Sequence, residues 1–168
     1  MSAFFYCFRQ REKILNLIEA VSGGRLTPSY FRIGGLMMDL PAGFERRVKQ
    51  FLDDFPAALD ELNTLVSGNT LWQSRTQGIG IISPEDAIDW GLTGPCLRGS
   101  GIDLDLRRHN PYSGYETYDF EVPVELDCDV WARFRVRMRE MRESYKIVRQ
   151  AIDRLKPGPT KADAPKIV

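Results

Sequence analysis

The stretch that most constrains the fold lies near the C-terminal end. Trp131, Phe134, Met138, Met141, Tyr145, Val148, Ile152 and Leu155 recur in strictly alternating steps of three and four. That spacing draws one apolar stripe along a helix and predicts a long helix packed lengthwise against neighbours in a helical bundle. Arg133, Arg135, Arg137, Arg139, Arg142 and Arg149 are interleaved with the stripe. Such a face has two readings. It is ordinarily a solvated surface whose aliphatic stems lie along the core. The alternative is a contact for an acidic partner, because a planar guanidinium binds carboxylates bidentately.

Two further helices are legible. From Phe4 to Val21, Ile14, Leu17, Ile18 and Val21 recur at helical spacing, and Gly23-Gly24 ends the run. The stretch from Arg25 to Asp39, with Pro28 and Gly34-Gly35, reads as a loop. Asp39 and Pro41 then suit the cap and first position of a second helix. It carries Phe44, Val48, Phe51, Phe55, Leu59, Leu62 and Val66, with a kink or break expected at Pro56. Residues 70–124 are less regular. Ser83-Pro84-Glu85-Asp86 reads as a capped short helix that runs to Trp90 and stops at Gly91. Ile102–Leu106 and Tyr118–Val124 alternate like strands that pair in a small ribbon. The expectation is a mainly α chain, a helical bundle with a small β ribbon, forming one domain over 1–156 and a flexible tail over 157–168.

Composition removes several function classes. Lys plus Arg and Asp plus Glu number 23 each, for a net charge of +0, without the basic excess of a general nucleic-acid binder. One His cannot furnish the commonest zinc sites, and Cys7, Cys96 and Cys128 form no C-x-x-C pair. The longest apolar run, residues 3–8, is too short to span a bilayer. Gly78-Ile79-Gly80 and Gly99-Ser100-Gly101 read as tight turns rather than nucleotide cradles. Asp103 and Asp105 lie close to Arg107 and Arg108 and read as structural ion pairs, and His109 reads as a surface residue. Phe4, Phe5, Tyr6 and Phe8 more often form a buried helix end than a ligand wall, although a flat apolar ligand such as a quinone needs just such walls. Residue chemistry alone therefore leaves a mostly helical domain with no catalytic set and no metal ligands.

The order of longer segments says more. FFYCFRQREKILNLIEAVSGGRLTPSYFRIGG, GIGIISPEDAIDWGLTGPCLRGSGIDLDLRR, NPYSGYETYDFEVPV and RFRVRMREMRESYKIVRQAIDRLKPGP together cover most of the chain. In this order they resemble the central part of the 49-kDa-subunit family of proton-pumping NADH–quinone oxidoreductase, respiratory complex I. That family is related to the large subunit of nickel–iron hydrogenases, so the resemblance implies part of a hydrogenase-large-subunit-like fold. It also implies a peripheral-arm subunit on the cytoplasmic side of the bacterial inner membrane, with no transmembrane segment of its own and no nucleic-acid partner. Such a subunit builds a quinone chamber with an iron–sulfur partner subunit and takes part in electron transfer from NADH to quinone, coupled to proton translocation. On this resemblance Phe4 and Phe8 line the quinone cavity, while Arg25, Thr27 and Arg32 lie on the loop near the partner's terminal iron–sulfur cluster.

The same resemblance implies that the chain binds no cofactor itself: quinone occupies the shared site, and the cluster and NADH belong to partner subunits. The family's quinone-headgroup His and Tyr fall in a segment preceding the matched stretches. The chain is therefore expected to be a fragment, inactive alone, whose function belongs to the whole complex. Glu125-Leu126-Asp127-Cys128 replaces a Gly-containing turn of the family, which implies a local change of loop. Two other readings stay open: a stand-alone helical scaffold derived from the subunit, and a fragment of a related membrane-bound hydrogenase-type subunit.

Overall fold

The computed structural model describes residues 2–163. Seven α-helices and one two-stranded sheet are found among them: α1 (Ser2–Ser22), β1 (Phe31–Arg32), β2 (Gly35–Leu36), α2 (Phe44–Ser67), α3 (Thr70–Ser74), α4 (Pro84–Asp89), α5 (Gly94–Arg98), α6 (Leu106–His109) and α7 (Val130–Asp153). The chain is thus mainly helical with a small antiparallel sheet. It divides into two compact units, one holding residues up to Ala58 and from Ile152, the other Leu59–Ala151.

In the first unit, α1 ends as its sequence dictates. Gly23 takes φ 71° and its amide donates to Glu19 O at 2.8 Å, a helix stop that only glycine adopts cheaply. Lys13 Nζ pairs with Asp54 at 3.1 Å, and Arg47 donates to Asn16 O at 3.1 Å, so α1 and the first half of α2 are joined by polar contacts. Val48 and Leu52 supply the buried face of α2 in this unit. The second helix begins at Phe44 rather than Pro41, because Gly43 at φ 75° breaks the helical path just before it. It also runs through Pro56 as one helix, so of the two expected outcomes there the break does not occur.

The segment expected to be all loop contains the sheet. β1 and β2 pair antiparallel, Phe31 opposite Leu36 and Arg32 opposite Gly35, across a turn with Gly34 at φ 82°. Two residues per strand leave no alternation to read. A third segment joins its edge: Leu36 N donates to Thr160 O at 2.9 Å and Ala162 N to Gly34 O at 2.7 Å. Residues 164–168 of the expected tail lie outside the described residues.

In the second unit, Leu59, Ala87, Leu97, Phe120, Ala132, Val136, Met138 and Ile147 form the buried apolar core. Ser83 Oγ accepts from Asp86 N at 3.0 Å with Pro84 in the first turn, the start that the sequence predicts for α4. Gly91 at φ 63° ends it. The expected ribbon is absent. Ile102–Leu104 turns back on α5, and Asp105 caps α6. Residues 118–124 run along α7 instead, where side chains replace a partner strand: Asp119 N donates to Gln150 Oε1 and Glu121 N to Glu143 Oε2, both at 2.9 Å. The alternation there is real, since Phe120 is buried between exposed neighbours, but it reports packing on a helix.

The face of α7 is also corrected. The most buried line runs through Ala132, Val136, Glu143 and Ile147, with Met138 alongside, whereas Val148 and Leu155 of the expected stripe are each 44% exposed. Close approach of main chain explains the offset. A Cβ added to Gly99 would stand 2.8 Å from Arg133 Cγ and 3.2 Å from Arg133 N. Ala132, next to this close approach, is a small buried residue that periodicity weighted by bulk overlooks.

Candidate functional site

All five site residues implied by the resemblance fall in the first unit. Phe4 and Phe8 sit one turn apart on α1, their ring centroids 4.4 Å from each other. They remain 62% and 43% exposed, so this aromatic run is not a buried helix end. Farther along α1, Glu12, Asn16 and Glu19 receive the guanidinium of Arg25. Nη1 donates to Asn16 Oδ1 at 2.8 Å and Glu19 Oε2 at 2.6 Å, and Nη2 donates to Glu12. The carboxylate bonds, the one to Glu19 foremost, raise the Arg25 pKa above the ordinary arginine value.

Helical geometry joins the two groups. At about 100° per residue, positions 4, 8, 12, 16 and 19 share one face of α1. At a rise of about 1.5 Å per residue, Phe8 stands roughly 12 Å along the axis from the level of Asn16. One face of α1 thus carries an apolar pair followed by a polar clasp.

Thr27 and Arg32 occupy the loop that follows. Thr27 is exposed, and its carbonyl oxygen lies 3.3 Å from where a Cβ on Gly24 would stand. Arg32 donates to Ser29 Oγ at 2.8 Å, to Phe31 O at 3.0 Å and to Met37 Sδ at 3.3 Å. These partners are all neutral, whereas Arg25 faces two carboxylates. The two arginines therefore differ in the charge they present, a distinction that residue type alone does not reveal.

The second unit holds a cluster that sequence reading saw only in part. Arg98 is buried at 6% exposure on α5. It donates to Leu104 O at 2.8 Å and from Nε to Glu140 at 2.8 Å, and its Nη1 lies 3.8 Å from Asp105 Oδ2. Asp105 also accepts from Arg107 Nη2 at 2.6 Å and from the Arg107 amide at 3.0 Å. The Arg107 side chain holds the Asp105 carboxyl below the usual aspartate range against the opposing effect of burial. Arg107 and Arg108 both lie over the Phe120 ring, at 5.0 and 4.6 Å from its centroid. The expected ion pair near Asp105 is present, but Arg98 and Glu140 carried no local signal, because they meet only through the fold. His109 is exposed, its Nδ1 3.3 Å from the Asp105 amide nitrogen.

The arginines of α7 are engaged within the chain. Arg133 donates to Cys128 O and Gly80 O, Arg135 pairs with Glu125 and Asp127, Arg139 with Glu125, and Arg142 with Asp60. The acids come from the loop before α7 (Glu125, Asp127) and from α2 (Asp60). Among the described residues no three His, Cys, Asp or Glu side chains gather as a metal-ion site, and all three cysteines are free thiols.

These placements can be set beside known proteins. Residues 1–168 match, along their whole length, the family described as "Respiratory-chain NADH dehydrogenase, 49 Kd subunit". The chain belongs to this family. Within the 49 kDa family it is 58% identical over 167 residues to the D subunit of the NADH-quinone oxidoreductase of Geotalea uraniireducens, covering 99% of this chain and 43% of that protein. It is 54% identical to the first of the numbered D subunits of Solibacter usitatus and 51% identical to the second of those of Koribacter versatilis. Both matches run across all of this chain and cover 41% and 42% of those proteins. The chain thus spans less than half the length of these curated relatives.

Proposed function

We propose that this chain acts as part of an NADH–quinone oxidoreductase, in electron transfer from NADH to quinone coupled to proton translocation. It would contribute a wall of the quinone chamber and the contact with the iron–sulfur partner subunit. The observation that carries this reading is the single face of α1 on which an exposed Phe4–Phe8 pair precedes the Arg25 clasp. A quinone has a flat polar head and a long apolar tail. Such a molecule matches an apolar wall continued by polar groups within roughly 12 Å.

In this reading Phe4 and Phe8 exclude water from the tail and hold it by ring contact. Arg32, whose partners are neutral, keeps its positive charge available to the partner subunit, and a cation near a buried cluster favours the reduced state. Arg25 is neutralised by Glu12 and Glu19 and acts instead to fix the loop to α1. A cluster held by the partner would supply the electrons for quinone reduction, and this chain's own residues would line the tail (Phe4, Phe8) and present a positive charge (Arg32). The chain would sit on the cytoplasmic side of the bacterial inner membrane. No helix among the described residues is long and apolar enough to cross it. The related hydrogenase large subunit supplies the proposed larger fold.

The test uses a full-length relative assembled in its complex. Phe4→Ala with Phe8→Ala raises the quinone KM about tenfold, the value of one lost aromatic contact of roughly 1.5 kcal/mol. Arg32→Gln lowers the midpoint potential of the terminal cluster more than Arg25→Gln does. Unchanged quinone KM together with an unchanged potential would refute the assignment.

A further inference from the structure

The segment after α7 reads in sequence as a loose end, yet its backbone is bonded to the loop that carries Arg32. Leu36 N donates to Thr160 O at 2.9 Å, Ala162 N donates to Gly34 O at 2.7 Å, and Lys161 bridges Gly35 in antiparallel sense. Arg32 lies opposite Gly35 on the other side. The backbone order across this small sheet is therefore Arg32, Gly35, Lys161. All three belong to the same compact unit.

Gly35 makes that order possible. A Cβ there would overlap Thr160 O and come within 2.9 Å of Lys161 Cα, both main-chain atoms that no rotamer change can move. Its φ of 148° is also a conformation that side chains rarely adopt. Gly34, whose φ of 82° serves the turn, has a different task. The paired glycines thus divide into one that turns the hairpin and one that admits a third segment against it. A two-stranded hairpin of two residues per strand is marginal in water, and a third partner is what makes such a sheet persist.

We propose that residues 160–162 are a β-strap that locks the Arg32 hairpin, and that Gly35 is the positioning residue admitting it. This rests on the reading of Arg32 as the residue that faces the partner's cluster. The strap sets where the Arg32 backbone stands; the guanidinium then acts from that place. Because the strap follows α7 closely in the chain, its pairing also ties the end of α7 to the hairpin through main chain alone.

Two measurements separate the strap from the role of Arg32. In the full 168-residue chain, amide hydrogen exchange is followed at Leu36 for wild type, Gly35→Ala and Ala162→Pro, and at Ala162 for wild type and Gly35→Ala; Ala162→Pro removes the donor to Gly34 O without touching the hairpin. Exchange at Leu36 rises about tenfold or more in both variants, while amides of the Val136 turn of α7 stay protected. Undiminished protection at Leu36 in both variants overturns the strap. In an assembled full-length relative, the terminal cluster is then read by its electron paramagnetic resonance spectrum and midpoint potential. Gly35→Ala and Ala162→Pro shift both in the same direction as Arg32→Gln, with cluster content unchanged. A shift in Arg32→Gln alone overturns positioning by the strap. Loss of Leu36 protection with no shift in any variant overturns the Arg32 assignment and leaves the strap standing.

Discussion

Arg98 and Asp105 illustrate how single residues hold the second unit. Their charges are buried, so each depends on the other and on Glu140 and Arg107 for what water would otherwise supply. The pH consequence follows from direction. Arg107 depresses the folded-state pKa of Asp105, so the associated stability is fully present above the unfolded value, about pH 4, and is lost as pH falls through the folded value. Urea midpoints measured from about pH 5 downwards should fall below about pH 4 in wild type, and fall less in Asp105→Asn. Cys128 offers the opposite case. It holds φ 61°, a region that costs a side chain about 1 kcal/mol or more. Its amide donates to Gly99 O and its carbonyl accepts from Ile82 N, so the backbone is held there from both sides. Cys128→Gly should raise stability by about 1 kcal/mol, read as a higher urea midpoint at unchanged slope.

At the scale of elements, α7 was legible as a helix and misread as a surface. Its spacing of large apolar residues announces its length, and Asp129 starts it by accepting from Ala132 N at 2.7 Å. Which face lies deepest depends on what approaches, and Gly99 brings main chain against the helix at Arg133, next to the buried Ala132. Two identical deletions distinguish the faces. Val136, fully buried, should cost about 2 kcal/mol on truncation to Ala, whereas Val148, 44% exposed, should cost under about 1 kcal/mol. Equal losses in chemical denaturation would restore the stripe read from sequence. The residues 118–124 teach a related point. Period-two alternation records which side chains are buried, and a helix offering Gln150 and Glu143 serves the backbone as well as a strand would.

For the whole molecule, the sequence by itself determined the family, the three long helices and most of their ends, because glycine, proline and capping residues act within a few positions of themselves. It also determined where the candidate site residues lie along the chain: an aromatic pair on α1 and two arginines on the loop after it. Only the tertiary structure decided how they differ. It placed Arg25 between carboxylates and Arg32 among neutral acceptors, laid Phe4 and Phe8 in line with the Arg25 clasp, and left those rings open. It also decided that the buried Arg98 and the half-buried Glu140 meet across 42 residues, and that Thr160–Ala162 returns to pair with Gly34–Leu36. Such pairings depend on long-range closure of the chain, whose partners share no local pattern, and so they appear only once the fold has brought them within hydrogen-bonding distance.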